Sequence, residues 1–226
     1  MVRGGVVLLI LGVVLGYYAT QELRVSSGSQ GEPLTVDLAK LEACETPESN
    51  YVRVGEHLPS YNGAVYRTTK QSGNQVAPTT PISYCYYPII STSHPFTQAM
   101  RRLQTGEVQN GVPEIPELSN FRVLVRSHRF DAVGEIPDTF TTCASVDGLI
   151  INRISPLAAD EANLIKKSFP KLNLDEVLIL EEDRKPTSMW AGIAMMVGAF
   201  ALAGGGIGLI VLAKKAAALD NNPTLS

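Results

Sequence analysis

Met189–Ala213, MWAGIAMMVGAFALAGGGIGLIVLA, is the stretch whose reading decides the architecture. Its 25 residues carry no charge, with Arg184 and Lys185 before it and Lys214 and Lys215 after it. At about 1.5 Å per helical residue it exceeds the roughly 30 Å hydrocarbon layer of a bilayer. The stretch therefore reads as a transmembrane helix.

A second apolar run opens the chain. Gly4–Thr20 is uncharged and follows Arg3. Cleavage after Ala19 or Thr20 would put Tyr17 or Tyr18 at the −3 position, where a signal peptide needs a small residue. The run is read as an uncleaved signal anchor. Arg3 before the first span, with Lys214 and Lys215 after the second, predicts both termini on the cytoplasmic side. Tyr17, Tyr18 and Trp190 are assigned to one membrane interface. The domain plan is a helix at 4–20, a linker at 21–33, an extracytoplasmic domain at 34–187, a helix at 189–213 and a tail at 214–226.

Small residues mark the spans. Ala191, Ala194, Gly198, Ala201, Gly205 and Gly208 recur at helical spacing, and Gly12 and Gly16 form a GxxxG in the first run. Such stripes let helices approach closely, so association is expected between the two spans or between copies.

The intervening segment predicts an α+β fold with one mixed or antiparallel sheet, about six strands and two or three helices. A Ser/Gly/Gln-rich linker ends near Pro33. Leu34, Leu38 and Leu41 then suggest a short amphipathic helix capped by Thr35. Strands are expected at 51–55, 64–69, 82–90 and 121–126. Asn62-Gly63 is read as a tight turn, and Pro88 as confining its strand to an edge or bulge. In the fourth strand Phe121, Val123 and Val125 should face one way, Arg122 and Arg126 the other. A helix is expected over 96–104, with loops at 72–80 and at GVPEIPEL, 111–118. GLIIN (148–152) and VLIL (177–180) read as strands covered on both faces. Ser155-Pro156 opens a helix between them that presents Leu157, Leu164, Ile165 and Phe169, a unit of a length that allows its strands to pair in parallel without requiring them to adjoin.

Composition narrows the function. Residues 21–186 hold 16 Lys or Arg against 21 Asp or Glu, a net of −5, which argues against nucleic acid as a partner. Cys44, Cys85 and Cys143 form no CxxC, and no Cys/His spacing suits zinc. They leave open one disulfide plus a free thiol, or three buried thiols. No P-loop, GxSxG, HExxH, GxGxxG or EF-hand pattern occurs, so no cofactor or metal site is expected. The candidate binding patch is Arg122, Arg126, His128 and Arg129, whose guanidinium groups would hold an anion or an acidic partner. Glu181, Glu182 and Asp183 read as a solvated run just above the membrane. An N-glycosylation acceptor is absent, since Asn222 is followed by Pro223, which leans toward a bacterial plasma membrane or an organelle inner membrane.

The layout is similar to that of cytochrome oxidase assembly factors that hold one domain between two terminal spans, a likeness of topology that carries no residue across. These readings favour a two-span membrane protein whose domain binds a protein partner or helps assemble a membrane complex. The alternative is a membrane-bound hydrolase or a thiol enzyme using Cys143 or Cys85. A channel role is disfavoured because neither span holds an ionisable residue.

Overall fold

Two long apolar helices and one mixed sheet make up the computed structural model of the chain, which describes residues 2–29, 31–69, 77–105, 118 and 121–220. The chain divides into two units: Met1–Gly28 with Pro186–Ser226, and Ser29–Lys185.

The first unit is helical. Helix α1 spans Val2–Ser27 and the last helix, α5, spans Met189–Asp220. Both are long and apolar enough to cross a membrane. The linker expected over 21–33 is thus helical as far as Ser27. The two helices pack antiparallel through small residues. Gly5, Gly12 and Ala19 are buried on α1, and Gly192, Ala199 and Gly206 on α5. Each set repeats every seven residues, the period that keeps one seam of a helix facing its neighbour. A Cβ added at Gly12 would stand 2.8 Å from the Ala203 nitrogen and 2.9 Å from the Ala199 oxygen. At Gly5 it would stand 2.7 Å from the Gly206 oxygen. The seam is therefore backbone against backbone.

This seam lies one step round α5 from the stripe expected from sequence. Gly16 does meet Ala199, at 3.6 Å from a built Cβ, and Gly198 meets Leu15 at 3.5 Å. Ala191, Ala194, Ala201, Gly205 and Gly208 are exposed, and nothing lies within 4 Å of a Cβ at Gly205 or Gly208. Gly192 packs on Leu23, so Trp190 stands level with Val25, seven or eight residues along from Tyr18 and Tyr17, roughly 11 Å, and not level with them. The Thr187 hydroxyl donates to Glu22 at that end of the pair.

The second unit is α+β, with eight strands among the described residues where about six were expected. They are β1 (Leu34–Val36), β2 (Tyr51–Val54), β3 (Leu58–Pro59), β4 (Val65–Thr68), β5 (Ile82–Ile90), β6 (Val123–Ser127), β7 (Val146–Ile150) and β8 (Leu178–Glu182). Their order in the curled sheet is β1-β2-β7-β8-β6-β5-β3, with β4 also on β5. The β1–β2 and β6–β8 pairs are parallel; all other pairs are antiparallel. The surplus strands, β1 and β3, are three and two residues long, too short for an alternating pattern to register.

Both faces of the sheet are covered. One buries Val52, Val54, Cys85, Tyr87, Ile89, Val123, Val125 and Leu180 against Leu38 and Leu41 of helix α2 (Leu38–Glu42). The other buries Tyr84, Tyr86, Ile90, Leu124 and Ile179 against Ile165 of helix α4 (Ala159–Ser168). A further helix, α3, spans Pro95–Gln104, close to expectation.

Several local readings are corrected. Leu34 belongs to β1, and α2 is capped by Asp37, whose carboxylate accepts from Ala39 N at 2.9 Å, rather than by Thr35. Asn62-Gly63 lies in a 3-10 turn at Tyr61–Gly63, and the flanking β3 and β4 both pair with β5 instead of with each other. β5 is an interior strand despite Pro88. The Pro88 carbonyl accepts from Ser60 N, so its missing N–H points the same way, into the gap between β4 and β3 where no ladder bond is lost. Phe121 precedes β6 and joins the opposite core from Val123 and Val125. Helix α4 begins at Ala159, not at Ser155-Pro156, and has no side-chain cap. β7 and β8 are neighbours, but antiparallel, not the parallel pair that the strand–helix–strand spacing allows. The parallel partner of β8 is β6. Of the two expected loops, residues 72–76 and 111–117 lie outside the described residues.

Candidate functional site

β8 reads Leu178-Ile-Leu-Glu-Glu182, and a strand sends successive side chains to opposite faces. Two adjacent carboxylates in an interior strand therefore enter two different cores. Each must find cations there, because a buried charge without partners costs several kcal/mol. The chain meets both demands from β6 and the residues just after it, with Arg184 after β8 as a further partner of Glu181.

Glu181 faces the α4 side and is 9 % exposed. Its Oε2 accepts from Arg184 at 2.6 Å, and its Oε1 lies 3.4 Å from His128 Nε2 and 3.9 Å from Arg126 Nε. Arg126 and Glu181 are register partners in the parallel β6–β8 pair. The Arg126 guanidinium also lies 3.4 Å from Glu161 and 4.5 Å above the Tyr84 ring. Beside it, Arg67 donates to Asp160 at 2.6 Å and to the Tyr84 hydroxyl at 3.3 Å. Asp160 and Glu161 stand in the first turn of α4, where negative charge also suits the helix dipole. This network clamps α4 to the sheet.

Glu182 faces the α2 side. The Tyr87 hydroxyl donates to it at 3.3 Å, and Arg129 lies 3.5 Å away. Arg129 also donates to the Tyr61 hydroxyl at 3.3 Å and lies over the Phe130 ring. Tyr61 packs on Tyr87 with ring centroids 4.7 Å apart. Burial pushes the Tyr87 phenol up, and pushes the Cys85 thiol up to about 12, which leaves that thiol inert near neutral pH. His57 is buried and forms an isolated antiparallel bridge with Cys143, exchanging backbone bonds of 3.0 and 2.8 Å. The ring Nδ1 of His57 lies 2.8 Å from the Gly55 carbonyl, and burial pushes its pKa down.

The structure thus distributes the four residues of the candidate patch. Arg126 and His128 meet at Glu181, Arg129 meets Glu182 on the opposite face, and Arg122 stands apart. Arg122 precedes β6 and donates to Glu176 and to the Cys44 sulfur, both at 2.6 Å. Arg122 and Arg126 do not share a partner. The expected solvated run is also revised: Glu181 and Glu182 belong to the sheet interior, and Asp183 alone turns outward with φ 60°. The L-I-L-E-E pattern carries this signal only for a strand inside the sheet, where successive side chains enter two covered faces.

All three cysteines are free thiols, with Cys44 exposed, Cys85 buried and Cys143 half-buried. Among the described residues no group of three His, Cys, Asp or Glu is placed to hold a metal ion.

The Glu181 network carries a pH dependence. Burial pulls this carboxyl upward, but the hydrogen bond and charge of Arg184, with Arg126 and His128, outweigh it and hold the group below its ordinary value of 4.5. A depressed carboxyl contributes stability above that ordinary value and loses it as pH falls through the folded value. Glu181→Gln should therefore be less stable than the parent at pH 7 and should lose less additional stability on acidification below about 4.5. Denaturant midpoints measured across pH 3 to 7 check this.

No family model, curated protein or solved structure matches the chain.

Proposed function

We propose that the chain is a two-span integral membrane protein whose sheet domain stands outside the cytoplasm and serves protein–protein interaction within a membrane complex. The observation that carries the reading is the antiparallel pairing of α1 and α5 through backbone contacts at Gly5, Gly12 and Gly206. Such a seam is what membrane helices use, because lipid offers no hydrophobic drive toward pairing and close van der Waals contact supplies it instead. The pairing also brings Arg3, Lys214 and Lys215 to one end of the hairpin, with no acidic side chain among residues 1–21 or 189–219. At the opposite ends of the two runs Arg24, Arg184 and Lys185 stand beside Glu22, Glu181, Glu182 and Asp183 in the sequence, so the positive charge that no acid offsets supports a cytoplasmic location for both termini. The host membrane in this reading is a bacterial plasma membrane or an organelle inner membrane.

The surface offered to a partner is the end of the sheet that carries His128 and Arg129. Both side chains are half exposed, while their inner contacts to Glu181 and Glu182 hold them in place. That arrangement presents fixed donors at low entropic cost, which suits recognition better than loose surface cations do. The thiol-enzyme alternative gains less: Cys85 is sealed, and among the described residues Cys143 donates toward the Thr141 carbonyl at 3.9 Å.

A membrane-impermeant amine cross-linker applied to sealed, right-side-out vesicles tests the reading. The sheet domain should be labelled and joined to one stoichiometric companion. A domain that escapes labelling overturns the orientation. A labelled domain joined to nothing overturns the interaction role.

A further inference from the structure

On the α4 face of the sheet, two hydrogen-bonding atoms are sealed from solvent with no partner among the described residues: the Tyr86 hydroxyl and Arg126 Nε. Tyr86 is fully buried. The two residues stand directly opposite one another in the antiparallel β5–β6 pair, so their side chains leave the same face side by side. The far end of the Arg126 guanidinium is occupied by Glu161, and its face by Tyr84. Its Nε lies 3.9 Å from Glu181 Oε1, too long for a direct hydrogen bond and short enough for one small molecule to reach both.

The chemistry of these groups selects the occupant. Arg Nε–H can only donate, so a cation cannot satisfy it. The carboxylates of Glu161 and Glu181 flank the same guanidinium, so an anion would meet like charge. A side chain from a partner cannot reach a hydroxyl on a residue with no exposed surface. A neutral acceptor remains, one that can also give a hydrogen to a carboxylate. Water does both, and buried waters typically make about three such bonds.

We infer that Tyr86, Arg126 and Glu181 form a binding site for one structural water. It accepts from the Tyr86 hydroxyl and from Arg126 Nε and donates to Glu181 Oε1. Through it β5, β6 and β8 are joined by side chains as well as by their backbone ladder. The clamp that holds α4 then extends from Asp160 and Glu161 to the middle of the sheet. The inference does not depend on membrane placement.

Tyr86→Phe in the full chain, held in detergent micelles, tests it, because the change removes one oxygen and leaves the apolar ring. If the hydroxyl holds water, its loss should raise the unfolding equilibrium constant roughly three- to tenfold. The parent should also show a water cross-peak at the Arg126 Nε proton that weakens in the variant. If Tyr86→Phe equals or exceeds the parent in stability, the hydroxyl was a buried group with nothing bound, and the inference fails. A parent without a water cross-peak at Arg126 overturns it equally, whatever the stability of the variant.

Discussion

Gly12→Leu should separate the two apolar helices. Any Cβ at Gly12 meets Ala203 N and Ala199 O within 2.9 Å, and both are backbone atoms of a continuous helix that cannot rotate aside. The leucine would force the axes apart and strip contact from the neighbouring seam positions at Gly5 and Gly206. In water, apolar helices pushed apart would be driven to repack. In a bilayer the lipid tails replace the lost contacts at little cost, so nothing restores the pair. A disulfide reports the effect directly. Built Cβ atoms at Gly16 stand 3.6 Å from the Ala199 Cβ, inside the range that a disulfide spans. In a background lacking the three native cysteines, Gly16→Cys with Ala199→Cys should oxidise readily, and adding Gly12→Leu should slow this by roughly tenfold or more, about 1.4 kcal/mol of lost pairing. Gly4→Leu is the matched control, since nothing lies within 4 Å of that position. Equal oxidation in the Gly12 variant and its control would remove the seam from consideration.

Gly148→Ala should be the most damaging single methyl in the sheet domain. Gly148 lies inside β7 opposite Glu182 of β8. A Cβ there would stand 2.3 Å from the Glu181 carbonyl oxygen and 2.9 Å from its carbon. Those atoms belong to the strand that anchors both charge networks, so relieving the clash shifts Glu181 away from Arg184 and Glu182 away from Tyr87 together. Overpacking alone costs about 1–3 kcal/mol. With the networks disturbed the upper end, about 3 kcal/mol, is expected, or a fall in melting temperature of roughly 6–12 °C for a domain of this size. Gly63→Ala provides the comparison, because its nearest neighbours lie at 3.9 Å and the change should be neutral or mildly stabilising. Thermal melts followed by far-ultraviolet circular dichroism distinguish the two. A Gly148→Ala melt that overlays the parent would show that β7 and β8 can part without cost.

Legibility in the sequence tracked how local the determining physics was. β5 is legible to the residue, because six of its nine residues are isoleucine or tyrosine, which favour extended backbone. Its place in the sheet is not legible there, because whether Pro88 is tolerated depends on β3 and β4 leaving a gap, which no property of β5 reveals. The charged patch shows the same divide. Arg126, His128 and Arg129 were visible as a cluster, yet their partners Glu181 and Glu182 lie more than fifty residues away and join them only through the β6–β8 register. On α5 every third or fourth residue is small, so the sequence allowed several seams, and the choice of Gly192, Ala199 and Gly206 required the matching ladder on α1.

By itself the sequence determined that two uncharged runs long and apolar enough to cross a membrane bracket an α+β segment, because hydrophobic length is a local sum over consecutive residues. The tertiary structure alone decided which strands adjoin, which face each of two consecutive glutamates enters, and which small residues touch. Those outcomes depend on pairings between distant segments, and a contact between two surfaces is a property of both and is written in neither.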